Sequence, residues 1–395
     1  MRILVTCFTY APRKDGVQFV CQYLCEGLAA RGHEVTVLTH QHEGLAESEA
    51  INGVRVNRWP IYTRHMRHYG PRDEYVSWVL RHQGDFDAMV NVCTQSPMTD
   101  WLLPHLGEIR IPKLLHIHSI WDFEVHPWDR ASAGALARKL AANARWGAYY
   151  RGNADAFRRY DRIFQLYEQD YSVADFRKWY GIESEILENA AEDAFHEGAP
   201  VSDAERRRSI TCVANFNRQK NQVALVEAFL RADIPEGWTL DLVGSRETPE
   251  LKNMREAEAR IRSEQGLPHD GAHGGRPIVY HVGITREETV QLVKTASAYA
   301  MSSMWEAFPV SLVEAMSAGV PWVSTDVGIA RYLPGGVVVH GADEMEAALA
   351  RMCRDADGRA RLGRQGYDYA AAHFRIDDKV TQVEDALFEL TGGAR

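Results

Sequence analysis

The feature that most restricts the fold of this chain is an alternation of short apolar runs with amphipathic helical segments. The run RILVTCF is apolar almost throughout, as expected of a parallel strand that is covered on both faces. A helical pattern follows it, in which Phe19, Leu24 and Leu28 recur at helical intervals. Similar strand-like runs return at EVTVLTH, DAMVNVC and KLLHIHS. This alternation predicts a parallel, doubly wound sheet.

A second series of the same type begins near residue 208, and 395 residues are too many for one core. Its strand-like runs are RSITCVANF, TLDLVGS, PIVYHVG, AYAMSS and PWVSTDVG. The polar segment between the two series has weak periodicity and is typical of a linker. We therefore predict an α/β chain with two doubly wound Rossmann-like domains, residues 1–190 and 191–375, followed by a helix in 376–395. Two such domains leave a cleft at the carboxyl ends of their strands, where ligands of these folds bind.

Charge and cysteine content exclude several classes of protein. The net charge of −9 argues against general nucleic-acid binding. No run of eighteen apolar residues is present, and the N-terminal segment has the pattern of a first strand and lacks that of a signal peptide. The six cysteines are scattered without a Cys-x-x-Cys pair, which favours buried reduced thiols over a zinc site. We expect a cytoplasmic protein.

The segment from Arg130 to Arg162 differs from the rest of this acidic chain. It carries eight lysines and arginines against two acids, with five aromatic residues between them. A basic, aromatic helical stretch is suited to an anionic membrane surface. The alternative is a pair of helices that covers the first sheet and keeps its charges in water. The sequence leaves both interpretations open.

The segment SSMWEAFPVSLVEAM holds two acids, Glu306 and Glu314, on either side of Pro309. Proline is favoured at the first helical position, so we predict a helix that starts there and ends at Gly319. Glu306 is then in the loop before the helix, and Glu314 is about one turn inside it.

A helix start of this kind attracts phosphate groups. The N–H groups of Val310, Ser311 and Leu312 would bind a diphosphate, while Glu314 would accept two ribose hydroxyls and Glu306 would hold a sugar. The alternative is that the acids only complement the helix dipole, since a helix started by proline needs no ligand.

Other polar residues follow predicted strands at the same edge. Arg218 and Lys220 come after the first strand of the second domain, where cations could neutralise a diphosphate. Gly16 lies in the equivalent loop of the first domain, and it would let a phosphate or sugar approach the backbone. His118 lies nearer the carboxyl end of its strand than His116, which we assign to the core. A solvated turn and a core histidine are the structural alternatives for these residues.

Taken in order, these segments resemble the GT-B glycosyltransferases of the large retaining family that carries the E-x7-E motif, glycosyltransferase family 4. The motif is EAFPVSLVE, and AMSAGVPWVSTDVG follows it. DGVQFVCQYLCEGLAARGHEVTVLT resembles the N-terminal glycine loop, helix and strand of the family, and VANFNRQKNQVALVEAF resembles its phosphate-binding strand and loop. LVGS and YHVGITREETVQLVKTASAYAMSS resemble the segments that precede the motif. The resemblance covers nearly the whole chain.

The resemblance implies the following roles. Its catalytic residues are His118, Lys220 and Glu306. Its donor-binding residues are Gly16, Asn215, Arg218, Lys220, Gly244, Ile284, Glu306, Ala307, Phe308, Pro309, Val310, Ser311 and Glu314. Among them, Glu314 holds the ribose, and the backbone of Ile284 meets the base. The resemblance also implies that the last helix crosses back to the first domain, and that a nucleotide diphospho-sugar is used without a metal or another cofactor.

Several positions depart from the family pattern. Asn215 stands where the family usually has an arginine, Asp15 replaces the first of two glycines, and Ala307 replaces a common glycine. The segment VGIARYL lacks an acid that the family usually has. These changes leave the donor sugar open, with a UDP-sugar expected first and a GDP-sugar second.

Other classes of protein remain as alternatives. A metal-dependent GT-A transferase needs an Asp-x-Asp at a strand end, and neither Asp85 with Asp87 nor Asp355 with Asp357 is well placed. A GT-B phosphorylase or epimerase and a catalytically silent binding homologue share the fold. Asn215 is the best support for the silent homologue, and the retained Glu306, Lys220 and Glu314 argue against it. A saccharide or glycolipid acceptor of the cell envelope is expected first, and a small natural-product acceptor second.

Overall fold

The computed structural model describes residues 1–13, 15–268 and 275–393, which divide into two compact units. The first unit comprises Met1–Leu187 and Lys379–Arg395, and the second comprises Glu188–Asp378. The chain therefore crosses between the units after Leu187 and again after Asp378. The sequence had placed these boundaries after residues 190 and 375.

The first unit is built on an eight-stranded sheet. Its helices and strands up to the first crossing are β1 (Arg2–Thr6), α1 (Gly16–Ala30), β2 (Glu34–His40), β3 (Ser48–Ile51), β4 (Val54–Trp59), β5 (Tyr62–Arg64), β6 (Arg67–Tyr69), α2 (Arg72–His82), β7 (Ala88–Val92), α3 (Pro97–Asp100), β8 (Lys113–His116), α4 (Ala133–Gly152), α5 (Ala154–Phe157), β9 (Arg162–Gln165), α6 (Tyr171–Tyr180) and β10 (Glu185–Ile186). The strand order is β10-β9-β8-β7-β1-β2-β4-β3, and every pair is parallel except the edge pair β3–β4. Strands β5 and β6 form a separate hairpin.

The second unit is built on a six-stranded sheet in which all pairs are parallel. Its helices and strands are α7 (Asp193–His196), β11 (Arg207–Val213), α8 (Gln222–Arg231), β12 (Thr239–Gly244), α9 (Pro249–Gln265), β13 (Ile278–Val282), α10 (Arg286–Thr295), β14 (Ala296–Met301), α11 (Val310–Ser317), β15 (Trp322–Thr325), β16 (Gly336–Val339), α12 (Ala342–Arg354) and α13 (Ala356–His373), after which α14 (Ile376–Thr391) returns to the first unit. The strand order is β13-β12-β11-β14-β15-β16. The chain thus builds outward from β11 in one direction and from β14 in the other, so a topological switch point lies between these two strands.

The two units confirm the predicted fold class, because each is a doubly wound sheet covered by helices. The central strand β14 is buried along its whole length, which explains why its sequence is not alternating. The antiparallel β3–β4 edge was not predicted, since three of the four residues of β3 are exposed and give no apolar run.

The last helix is fastened to the first unit by polar contacts. Glu384 accepts a hydrogen bond from Arg31 at 2.9 Å and pairs with His33 at 2.7 Å. Gln382 Nε2 donates to the carbonyl of Ile186 at 2.6 Å. Hydrogen bonds from Arg31 and His33 hold the pKa of the Glu384 carboxyl below its usual value, although burial opposes them.

Two further expectations concern the surface and the thiols. Within the three described ranges, no helix is both long enough and apolar enough to cross a membrane. All six cysteines are free thiols, and all but Cys93 are buried.

Candidate functional site

The switch point of the second unit carries an ion pair between two loops. Lys220 lies in the loop that follows β11, and Glu306 lies in the loop that follows β14. Lys220 Nζ is 2.5 Å from Glu306 Oε1, and the two side chains are 24% and 9% exposed. The fold therefore brings together two residues that are 86 positions apart in the sequence.

Hydrogen bonds between the same two loops fix this pair. The Met304 N–H donates to the Gln219 carbonyl at 2.7 Å, and Gln219 Nε2 donates to the Trp305 carbonyl at 2.9 Å. Ser302 Oγ donates to the carbonyl of Asn221 at 2.9 Å. Asn221 has a left-handed backbone, with φ of 51°, which turns the chain into α8. No local pattern in the sequence marks Gln219, because its role depends on which strands are neighbours.

The start of α11 differs in one detail from the prediction. Pro309 is the residue before the first helical turn, with an extended ψ of 112°, and the helix begins at Val310. The Leu312 N–H donates to the Pro309 carbonyl at 3.1 Å, so the expectation that it would bind a ligand is wrong. The amides of Val310 and Ser311 belong to the first turn, where backbone N–H groups have no partner within their own helix.

Two buried side chains form hydrogen bonds with α11 and with the loop that precedes it. Tyr299 is buried in β14 and donates its hydroxyl to Ser311 Oγ at 2.7 Å. Asn189 is buried and donates from Nδ2 to the carbonyl of Phe308 at 2.9 Å. Asn189 thus holds the backbone before the helix start, and Tyr299 holds the side chain of Ser311 in the first turn.

Glu314 is inside α11, as predicted, but it is not exposed at the flank of the helix. Its side chain is only 4% exposed and forms an ion pair with Arg286, the first residue of α10. Arg286 Nε also lies 3.0 Å from Glu192 Oε1. Burial raises the pKa of Glu314, while Arg286 opposes this shift. Burial also opposes the charge of Arg286, yet the two carboxylates hold its pKa above the usual value.

The conformation of the loop around Ala307 depends on Gly328. The N–H of Ile329 donates to the Ala307 carbonyl at 3.0 Å. A Cβ atom on Gly328 would lie 2.1 Å from that carbonyl oxygen, and the φ of Gly328 is 51°. Only glycine fits this close approach without a shift of the loop. The signal was present in VGIARYL, but its meaning depends on a contact about twenty residues away.

Asn215 and Gly244 lie at the ends of neighbouring strands. Asn215 Oδ1 accepts a hydrogen bond from Ser245 Oγ at 2.6 Å. A Cβ on Gly244 would lie 2.6 Å from the ring of Phe216, so close packing against this ring explains the glycine. The structure thus places both residues at the predicted edge and gives Gly244 a structural explanation.

The remaining two donor-binding candidates of the second unit lie on the surface of the same edge. Ile284 is half-buried and follows Gly283, whose φ is 67°. Arg218 is exposed and lies in the loop that follows Val213, the last residue of β11. The described residues form no hydrogen bond or ion pair with the Arg218 side chain that would fix its direction.

In the first unit, Gly16 is the first residue of α1. Asp15 precedes it and caps the helix, with Oδ1 accepting from the N–H of Gln18 at 2.8 Å. Asp15 stands where the family has the first of two glycines, and its role as the helix cap explains an aspartate at this position. A Cβ on Gly16 would meet no protein atom within 4 Å, so the protein alone gives no steric reason for glycine there.

His118 follows β8 and is buried, and its ring centroid lies 4.3 Å from that of His116. Burial lowers the pKa of His118 to about 4, so the imidazole is neutral at pH 7. Nε2 of His118 has no hydrogen-bond partner among the residues that the structure describes. A neutral ring of this kind can exchange hydrogen bonds with a hydroxyl, but it does not supply a positive charge.

The basic segment separates into two faces. Its aromatic residues that are buried in the first unit are Trp146, Tyr150, Phe157 and Tyr160. The expectation that the aromatic residues could rest on a membrane is therefore wrong for these four. Arg145 donates to the carbonyl of Met66 in the β5–β6 hairpin, and Lys139 lies 4.9 Å from the Trp121 ring centroid.

Neither Asp-x-Asp pair resembles a metal site at a strand end. In the first pair, Asp87 is bound to Arg2 at 2.8 Å. In the second pair, Asp355 caps α13 by accepting from the N–H of Gly358 at 2.7 Å. The structure therefore gives both pairs a structural function.

The described part of the chain brings Asp122, Glu124 and His126 close enough to share a metal ion. The His126 ring is already engaged on both sides, by Asp122 at 2.5 Å and by the backbone N–H of Asp129. Hydrogen bonds within this loop therefore explain the position of the His126 ring beside Asp122.

The two units each match a glycosyltransferase family model. Residues 15–165 match the model described as Glycosyl transferase 4-like domain, and residues 207–355 match the model described as Glycosyl transferases group 1. With the two Rossmann-like units, these matches define a glycosyltransferase with the GT-B fold.

Known proteins of similar sequence and structure agree with this class. An uncharacterized glycosyltransferase of Methanocaldococcus jannaschii is 23% identical over 362 residues, in an alignment that covers 83% of this chain and 81% of that protein. Sucrose-phosphate synthase from Thermosynechococcus elongatus has a TM-score of 0.72 at 18% identity and covers 99% of both chains. Anabaena HepE, solved with UDP and glucose, has a TM-score of 0.67 at 16% identity over 98% of this chain and 99% of that chain. At these identities the solved structures show the fold.

Proposed function

We propose that this protein is a retaining glycosyltransferase that moves a sugar from a nucleotide diphospho-sugar to an acceptor hydroxyl. A UDP-sugar is the preferred donor in this proposal, and a GDP-sugar is the second. The observation that carries the proposal is the Lys220–Glu306 pair beside the first turn of α11, with the buried Glu314 further along that helix. The presence of UDP in the similar HepE structure supports the choice of nucleotide.

The main chemical requirement is to stabilise the negative charge that grows on the departing diphosphate. Lys220 supplies a positive charge, and the amides of Val310 and Ser311 supply hydrogen-bond donors at a helix start. Asn215 takes the place of a charged residue at the end of β11, so Lys220 carries most of this task. Arg218 is close in sequence and adds charge from an exposed position.

The two glutamates hold opposite ends of the donor. Glu314 accepts hydrogen bonds from the ribose hydroxyls, and the backbone at Ile284 meets the base. Glu306 accepts hydrogen bonds from the sugar, together with the backbone of the loop Ala307–Pro309. Glu306 already touches Lys220, so binding of the donor brings the sugar and the diphosphate to one ion pair.

Retention is proposed to follow a front-face path. The bond between the sugar and the diphosphate breaks, and the new glycosidic bond forms on the same face. The acceptor proton passes to an oxygen of the departing diphosphate. Neutral His118 exchanges hydrogen bonds with a sugar hydroxyl, and Gly16 leaves room for the phosphate or the acceptor. No metal or other cofactor takes part in this proposal.

The test is a panel of UDP-, GDP-, ADP- and dTDP-sugars in a thermal unfolding assay. A ligand at 100 times its Kd stabilises the folded state by about 2.7 kcal/mol, which shifts Tm measurably. We expect the largest shift with a UDP-sugar. The absence of a shift with every sugar nucleotide would contradict the transferase proposal. If a donor binds and a product forms, NMR of that product distinguishes retention from inversion at the anomeric carbon.

The acceptor is proposed to be a cell-envelope saccharide or glycolipid, reached from the cytoplasmic side of the plasma membrane. The support is the exposed surface of α4, on which the side chains of Arg138, Arg145 and Arg151 and that of Leu140, 52% exposed, all reach solvent. The hairpin that Arg145 contacts adds the exposed side chain of Met66. Cations beside exposed apolar groups favour an anionic bilayer surface.

Sedimentation with vesicles tests this contact. Vesicles that contain phosphatidylglycerol should retain the protein at low salt, and purely zwitterionic vesicles should not. Replacing Arg138 and Arg145 by glutamine should abolish retention, whereas replacing two exposed arginines of the second unit, Arg246 and Arg364, should not. Equal retention by both kinds of vesicle would contradict an electrostatic contact.

A further inference from the structure

Arg286 lies between two carboxylates at the donor site of the second unit, although it belongs to neither end of the E-x7-E motif. It forms ion pairs with Glu314 and, through Nε at 3.0 Å, with Glu192. Its guanidinium group also lies 5.0 Å from the centroid of the Phe195 ring. The side chain is thus held on three sides. Its guanidinium group pairs with Glu314, the carboxylate that the proposed function assigns to the ribose.

The segment that supplies Glu192 also supports the other end of the motif. Asn189 donates to the carbonyl of Phe308 at 2.9 Å, three residues before Glu192. Lys294 fixes the far end of the same segment by donating to the carbonyls of Ala194 and Glu197 at 2.9 and 2.8 Å. One short segment therefore supports both the loop that carries Glu306 and the arginine that pairs with Glu314.

A buried carboxylate without a cation tends to take up a proton. A protonated carboxyl group would donate a hydrogen bond and could no longer accept one from each of two ribose hydroxyls. A planar guanidinium fixes a carboxylate in both charge and direction. Among the described residues, two other titratable groups interact electrostatically with Glu314, namely Glu192 and the phenol of Tyr299. Neither of them supplies a positive charge, so Arg286 is the cation that opposes protonation of Glu314.

We propose that Arg286 is a positioning residue that keeps Glu314 ionised and directed toward the ribose, with Glu192 and Phe195 holding the guanidinium in place. The inference rests on the proposed function, because it assigns Arg286 to the nucleotide end of that same site. It adds a residue outside the motif on which nucleotide affinity depends.

The experiment is a calorimetric titration of the full-length protein with UDP between pH 5.5 and 8.5. The variants are Arg286→Met and Arg286→Lys, and Lys294→Met is the matched control, since Lys294 supports the same segment without touching Glu314. Arg286→Met should raise the Kd for UDP at pH 7 by on the order of 10- to 100-fold, by analogy with the loss of affinity when the hydrogen-bond partner of a metal ligand is removed. It should also move the rise of affinity with pH to a higher pH, because Glu314 then ionises later. Arg286→Lys keeps the charge and should lie between the wild type and Arg286→Met.

Titration of UDP itself is common to all variants and does not affect the comparison. The inference would be overturned if Arg286→Met kept the wild-type affinity and pH profile, or if Lys294→Met reproduced the same shift. Thermal unfolding of each variant identifies a loss that is due only to misfolding, and Arg286→Lys then carries the test. Failure of the wild type to bind UDP, GDP, ADP or dTDP would contradict the proposed function, independently of Arg286.

Discussion

Lys220 Nζ lies 2.5 Å from Glu306 Oε1, and this contact joins the loops after the two central strands of the second unit, β11 and β14. Each residue neutralises the other in a largely buried position. A lysine that is already directed into the site needs little reorganisation when a diphosphate arrives, which is the property that makes preorganised charges effective in catalysis.

Under the proposed function, Lys220→Met removes the cation that neutralises the departing diphosphate, so it should lower kcat by about 10²–10³. The rate of nucleotide release from the donor measures this effect. Arg218→Gln is the control, since its side chain is exposed and should contribute far less. An equal loss in both variants would contradict the special position of Lys220.

The two glutamates should respond differently to removal. Glu314→Ala should raise the Kd of the nucleotide, because the proposed function assigns this carboxylate to the ribose hydroxyls. Glu306→Ala should leave nucleotide affinity nearly unchanged and reduce turnover of the sugar donor. Titration with UDP and initial rates with the UDP-sugar separate the two effects. The division of roles would be wrong if both variants lost the same nucleotide affinity.

Two glycines allow a matched comparison of packing and open space. Gly328→Ala places a methyl group against the Ala307 carbonyl at a residue with positive φ, so it should destabilise the protein by about 1–3 kcal/mol and disturb the loop at Glu306. Gly16→Ala meets no protein atom and should leave the free energy of unfolding nearly unchanged. Denaturant unfolding tests both expectations. Lower activity in Gly16→Ala without lower stability would fit a ligand beside that residue.

Stability should fall as the solution becomes acidic, partly because of His118. The pKa of His118 is about 4 in the folded state, whereas an unfolded histidine has a pKa near 6.5. Between these two pH values the unfolded chain binds a proton at this residue and the folded chain does not. The contribution is fully present above pH 6.5 and is lost as the pH falls toward 4, up to about 3 kcal/mol.

Urea unfolding at several pH values measures this dependence. His118→Gln should make the loss of stability with acid shallower. His340→Gln, at a side chain that is 64% exposed, is the control. Equal slopes in the wild type and His118→Gln would contradict the assignment of a buried neutral ring.

Much of the fold was predictable because it depends on local patterns. The main parallel strands give continuous apolar runs, and the helices between them give apolar stripes at helical spacing. Both ends of α11 were predicted to within two residues, since Pro309 precedes its first residue and Gly319 follows its C-cap. The antiparallel β3–β4 edge and the β5–β6 hairpin were missed, because short exposed strands leave little apolar pattern.

The sequence by itself determined the fold class, the E-x7-E motif and the chain order of the residues at the strand ends, because periodicity and turn residues are local properties. Only the tertiary structure decided which strand ends are neighbours. It therefore revealed the Lys220–Glu306 pair, the contact of Gly328 with Ala307 and the pairing of Arg286 with Glu314. These contacts join residues that are distant along the chain, and burial sets their charge states, which no local pattern records.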